Sequence, residues 1–165
     1  MKKNLLAFGL AIVLIACGTG DSTKKFESAA EYDDHITSRI TQMQQSLFAV
    51  QNGTFDSTQI NDAIKKYEGQ IDSVNKTIKD MPGFDGNDSY RNAAANLGEF
   101  YKKSVGTHYA DIAKIYREVK DTTVDAKVQE IITKLQDEET KADDEFVKER
   151  EAFAAKHKLD LMNKE

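Results

Sequence analysis

Three histidines and a single cysteine are the side chains of this 165-residue chain with the widest chemical reach. His108 lies in the third of four helical segments. Counting down the fourth segment from Val124 brings Glu138 to a similar height, at a seam position where the apolar pattern lapses. The two side chains can thus form one polar layer inside a bundle, with Tyr109 or Gln42 beside it. Imidazole and carboxylate are natural ligands of a metal or haem, and the same pair can equally be a plain hydrogen bond. Di-iron sites in bundles take Glu-x-x-His pairs from two helices; the chain has no such pair, and neither a metal nor a cofactor is expected. Glu31 and His35 stand four residues apart, near the exposed start of the first helix. His157 sits in a Lys-rich tail and is expected to be solvated.

The remaining chemistry is thin. There is no Gly-rich phosphate loop, no G-x-S-x-G elbow and no H-E-x-x-H, so the chain is expected not to be an enzyme. The acidic cluster Asp137-Glu138-Glu139 and Asp143-Asp144-Glu145 is interleaved by Lys134, Lys141 and Lys148. At spacings of three and four, such charges read as a solvated helix face. Tyr90, Phe100, Tyr101, Tyr109 and Tyr116 either line a ligand cleft or, as aromatic residues at helical spacing usually do, fill the core.

Four amphipathic segments must position these groups. In the first, Tyr32, Ile36, Ile40, Met43, Leu47 and Val50 recur at steps of four and three. Ser28 and Glu31 form a capping box in front of them, and Asn52-Gly53 ends the helix. In the second, Ile60, Ile64, Tyr67, Ile71, Val74, Ile78 and Met81 give the seam of a bundle, capped by Ser57 or Asp56. A helix over residues 57–81 is about 38 Å long. The stretch from Pro82 to Asp88 breaks it. The third segment runs from Asp88 to Val119 with Gly98 and Gly106 inside it. Those glycines either let a neighbour come close or mark a bend. The fourth starts at Thr123 and reaches Lys158, about 52 Å. Short turns between four helices predict an all-α, antiparallel up-down-up-down four-helix bundle over residues 26–165. In such a bundle the start of the first helix and the end of the fourth share one pole. The turns at 52–56 and 120–123 then lie at the other.

Ahead of the bundle the composition changes. Met1-Lys2-Lys3-Asn4 is basic, and the apolar run from Leu5 to Ala16 is shorter than the roughly 20 residues a spanning helix needs. This is the layout of a secretory signal with small residues before the cut. Cys17 follows it and has no intrachain partner for a disulfide. Leu14-Ile15-Ala16-Cys17 resembles a bacterial lipobox. That resemblance implies a signal peptide over residues 1–16, a diacylglyceryl thioether on Cys17 and an acyl chain on its new amine. Palmitate-type chains contribute about 0.8 kcal/mol per buried methylene, and two or more give lasting attachment. Residues 17–25 are small and polar and read as a flexible tether. Gly18 stands where an aspartate would mark retention in the inner membrane of enteric-type bacteria. The resemblance therefore points to the cell envelope, lipid-anchored at the outer membrane and facing the periplasm or the surface. Around Ala29-Ala30-Glu31-Tyr32-Asp33-Asp34-His35-Ile36 the chain also faintly resembles helical-bundle surface lipoproteins of uncharacterised families. This resemblance carries over the architecture alone.

Removing residues 1–16 takes away Lys2 and Lys3 and moves the formal charge from −5 to −7. An acidic chain without a basic patch disfavours nucleic acid. Asp21-Ser22-Thr23, Asp56-Ser57-Thr58, Asp72-Ser73-Val74 and Asp121-Thr122-Thr123 resemble a three-residue O-glycosylation consensus, with Ser22, Ser57, Ser73 and Thr122 as acceptors. Asp, Ser and Thr also gather at helix starts because they cap. The expected function is that of a non-enzymatic, membrane-anchored lipoprotein whose bundle meets a protein or envelope partner. The alternative is a small-molecule, haem or metal binder built on the His108 and Glu138 layer.

Overall fold

The computed structural model describes residues 25–53, 56, 59–119 and 121–161. Cys17, Ser22, Ser57 and the lipobox lie outside the described residues. The described chain forms a bundle of helices, α1 (Ala29–Gln51), α2 (Gln59–Lys79), α3 (Ser89–Lys103), α4 (Ala110–Glu118) and α5 (Val124–His157). A π-helical segment, Ser104–Tyr109, joins α3 to α4 without a break. The third rod is thus α3, the π segment and α4 in line. None of the described helices is long and apolar enough to cross a membrane.

Local signals set the helix ends. The Ser28 hydroxyl oxygen accepts the Glu31 N–H at 3.1 Å, while the Glu31 carboxylate reaches back to the Glu27 N–H at 3.0 Å. Asp56 and Gln59 make a full reciprocal box, with Asp56 Oδ1 accepting the Gln59 N–H at 2.9 Å and Gln59 Oε1 accepting the Asp56 N–H at 3.4 Å. Phe84 to Asn87 close a tight turn with positive φ at Asp85 (51°) and Gly86 (74°). That pattern is a type I′ turn, which Gly and Asp tolerate. Asn87 Oδ1 then accepts the Ser89 N–H, capping α3 in place of the Asp88 side chain. At the far end, Lys158 adopts the left-handed conformation at φ 56°. The Leu159 N–H bonds back to the Ala154 carbonyl at 2.9 Å, and Leu159 packs on the core. This is a Schellman stop with lysine where glycine is usual. The helix ends one residue before the sequence-based limit.

Neighbouring rods run in opposite senses. Tyr32 pairs with Pro82 and Ser46 with Gln70, so numbers fall on α2 as they rise on α1. Arg91 with Met81 and Lys102 with Asp72 give the same sense for α2 and α3, as do Asn96 with Glu145 and His108 with Glu138 for the third rod and α5. α3 packs against α1, α2 and α5. The interior is the apolar seam read from the sequence: Ile36, Met43, Ile71, Ile78, Leu97 and Val105 are all buried to within 1%. Each such side chain contributes about 1.5–3 kcal/mol through burial.

Both glycines of the third rod serve close approach to α2. A Cβ on Gly98 would lie 2.3 Å from Asn75 Oδ1, and one on Gly106 would lie 2.6 Å from the Glu68 carboxyl carbon. Asn75 is fully buried, donates to the Ala95 carbonyl at 3.1 Å and to Glu99 at 2.8 Å, and leaves its Oδ1 without a hydrogen-bond partner. Gly98→Ala should therefore destabilise the bundle by about 1–3 kcal/mol, read as a lower midpoint in urea unfolding. In the Asn75→Ala background the same change should cost less. Equal penalties in the two backgrounds would show that the clash with Asn75 is not the cause.

Candidate functional site

Three places carry polar or open character: the His108 layer, a buried ion pair near the start of α1, and a cleft at the opposite end of the bundle.

His108 and Glu138 meet, with Nε2 3.1 Å from Oε2. His108 sits in the π segment and is 4% exposed. Ser104 opens that segment and gives its hydroxyl to the Phe100 carbonyl at 2.9 Å, a back-bond that bends helices. Lys103 holds the same carboxylate at 2.8 Å. The hydrogen bonds from Lys103 and then His108 pull the Glu138 carboxyl below its ordinary range. Glu138 is therefore an acceptor, and the proton of the shared bond sits on His108 Nε2. Tyr109 and Gln42 do not join the layer: the Tyr109 hydroxyl accepts from Gln51 at 2.7 Å, and Gln42 accepts from Arg39. Among the described residues no group of three His, Cys, Asp or Glu side chains could hold a metal ion. A donor set of one imidazole and one carboxylate already neutralised by lysine does not fit a metal or a haem iron. The arrangement is a hydrogen-bonded strut between the third rod and α5. Glu31 is engaged in the cap, and His35 faces the Phe26 ring at 5.3 Å.

A second cluster has no counterpart in the sequence reading. Asp33 is fully buried. Its Oδ1 accepts the Tyr90 hydroxyl at 2.7 Å, and Arg150 closes on both carboxylate oxygens at 2.9 and 3.0 Å. Burial, and then the Asp33 charge, push the Tyr90 phenol far above its ordinary range, so it remains a neutral donor. Around this pair stands an aromatic cap. Tyr32 lies 4.9 Å from Phe26, 5.3 Å from Phe84 and 5.5 Å from Phe153. His157 is not a solvated tail residue. Its ring packs 4.6 Å from Phe153 and 5.1 Å from Phe84, because the Phe84–Asn87 turn folds over the end of α5.

The third place is open. Gln51, the last residue of α1, bonds to Tyr109, and the nine residues of α4 then run on past it by about 13 Å. No α4 residue is fully buried. The position that α1 would occupy is a cleft of about 670 Å³. Val50, Ile60, Ile112 and Ala113 give it apolar walls. Tyr109, Tyr116, Gln51, Asp56 and Arg117 line it with polar atoms. The aromatic set from the sequence therefore splits: Tyr90, Phe100 and Tyr101 are core, whereas Tyr109 and the 57%-exposed Tyr116 face the cleft. Of the described glycosylation candidates, Ser73 on α2 and Thr122 before α5 are both exposed.

Searches of protein-family models, curated proteins and solved structures return no match to this chain.

Two predictions come from these polar groups. Asp33→Ala leaves a half-buried guanidinium and a buried phenol without their acceptor, and should cost about 3–5 kcal/mol in denaturant unfolding. Asp33→Leu combined with Arg150→Met and Tyr90→Phe should recover most of that loss. Glu138 has a lowered folded-state pKa, so its stabilisation is present above the ordinary carboxylate range and is lost as pH falls through the folded value. Glu138→Gln should therefore reduce stability near neutral pH and flatten the fall in the urea midpoint on acidification. A parallel acid limb in the variant would refute the linkage.

Proposed function

We propose that the mature protein is a non-enzymatic lipoprotein, held at the outer membrane by acyl chains on Cys17 and presenting its bundle to a protein or envelope partner. The observation that supports this reading best is the polarity of the bundle. Phe26, the second described residue, packs on Tyr32 at the same pole where Phe84 covers Phe153 and His157. The chain therefore enters the bundle at a pole closed by aromatic rings. The opposite pole, beyond Gln51, carries the uncovered faces of α4. A tether from Cys17 would bring the closed pole to the bilayer and leave the open one in water. The acidic charge favours a partner other than nucleic acid.

A ligand-binding reading is favoured by one observation, the cleft beside Tyr109, and it moves that activity away from the His108 layer. Ser104 gives its hydroxyl to the Phe100 carbonyl and His108 pairs with Glu138.

The anchor is tested by fractionation. The parent should be recovered with membranes and carry the added mass of a diacylglyceryl group and an amide-linked acyl chain at Cys17. Cys17→Ser should lose both the mass and the membrane association. Unchanged processing and fractionation of Cys17→Ser would overturn the proposal. A photo-crosslinker at Thr122 should capture an envelope protein in cells, and one at Lys158 should capture far less.

A further inference from the structure

We infer that the cleft at the open pole is a binding site for a small amphipathic carboxylate, with Arg117 receiving the anion. The inference deepens the ligand-binding reading and does not depend on the lipid anchor.

Size comes first. A volume of about 670 Å³ falls within the range of about 300–1,000 Å³ typical of small-molecule sites, which combine apolar walls with a few placed polar groups. Val50 closes the floor from the last turn of α1, Ile60 enters from the first turn of α2, and Ile112 with Ala113 form the α4 wall. These side chains give an occupant an apolar seat from three separate helices.

Charge then selects the class. Asp56, the acidic group lining the cleft, has Oδ1 committed to the Gln59 N–H at the start of α2. Among the described residues Arg117 has a salt bridge only to its chain neighbour Glu118, at 3.5 Å, with side chains 41% and 54% exposed. Such exposed pairs contribute about 0–1 kcal/mol, so an incoming carboxylate displaces Glu118 at little cost. The guanidinium fork matches a carboxylate bidentately. Tyr109 has its phenol oxygen fixed by the Gln51 amide at 2.7 Å, which leaves the hydroxyl hydrogen to donate. Burial pushes the Tyr109 phenol above its ordinary range, in keeping with a neutral donor. A guanidinium beside an apolar seat calls for an anion carried on an apolar body. A neutral hydrocarbon would leave Arg117 without a counter-charge, and a cation, though drawn to Asp56, would face that guanidinium.

The test uses the purified full chain, with 4-phenylbutyrate as the probe and its neutral amide, 4-phenylbutyramide, as the control, titrated by calorimetry against a protein-free blank. The parent should bind 4-phenylbutyrate saturably at one site and the amide about tenfold or more weakly. Arg117→Gln should remove that preference by weakening the acid about tenfold and leaving the amide unchanged. Ala113→Phe, which fills the cleft from the half-exposed α4 wall, should abolish binding of both probes while the helical circular dichroism stays that of the parent. No saturable binding by the parent, or parental affinity in Ala113→Phe, would overturn the site. Equal binding of acid and amide, or an unaffected Arg117→Gln, would overturn the carboxylate class. Binding is read on protein that has lost Cys17 as well as on the parent, so failure of the anchor and failure of the cleft give separate results.

Discussion

A carboxylate with no exposure to water dictates how this bundle is assembled. Moving such a charge out of water costs several kcal/mol unless geometry and hydrogen bonds compensate. Asp33 has that compensation only when α1, α3 and α5 meet at one level, because Tyr90 and Arg150 arrive from the second and third of them. A slide of α1 by one turn, about 5.4 Å, would strand the charge. The apolar seam tolerates sliding far better, since one isoleucine replaces another. The ion pair therefore sets the register that the hydrophobic pattern leaves open, in the way a lone polar residue fixes register in a coiled coil. The aromatic rings around it keep water away and complete one pole.

That register has a consequence at the other end. α1 has 23 residues and α5 has 34. With the two aligned at Asp33 and Arg150, α1 runs out at Gln51 while the third rod and α5 continue. Beyond that level the bundle lacks its fourth member. The apolar face of α4, strong in pattern yet nowhere fully buried, is what remains. Closed and open poles thus follow from one pairing combined with unequal helix lengths.

Much of this was legible in the residues. The four-and-three spacing located the first two rods, Ser28 marked one start and Asp56 or Ser57 another, and simple counting brought His108 to Glu138. Counting failed past that point for a definite reason. Beyond Gln51, where α1 ends, Ile112 and Ile115 on the third rod are only partly buried, because no local pattern reports where a partner helix stops. Asp33 was hidden because an acidic residue beside a seam reads as solvated, and its partners stand 57 and 117 residues away. His157 was misread because lysines flank it, whereas what covers it is the turn at Phe84, distant in sequence. Local chemistry writes helices and caps plainly. Long-range polar pairing leaves little local trace.

The position of the cleft bears on what can reach it. From the aromatic pole to Gln51 the 23 residues of α1 span about 35 Å, more than the roughly 30 Å of a whole hydrocarbon core. A tether of residues 17–25 adds at most about 3.5 Å per residue. Were Cys17 anchored in the bilayer as proposed, the cleft would open tens of ångströms into the aqueous phase when the bundle stands upright. An occupant then arrives through water and not laterally from lipid. A membrane lipid would have to leave the bilayer entirely, losing about 0.8 kcal/mol for each methylene exposed on the way. A carboxylate small enough to be soluble makes the same journey without that loss. An anchored, upright bundle would therefore favour the same class of molecule that Arg117 would attract: short, apolar in its body and anionic at one end.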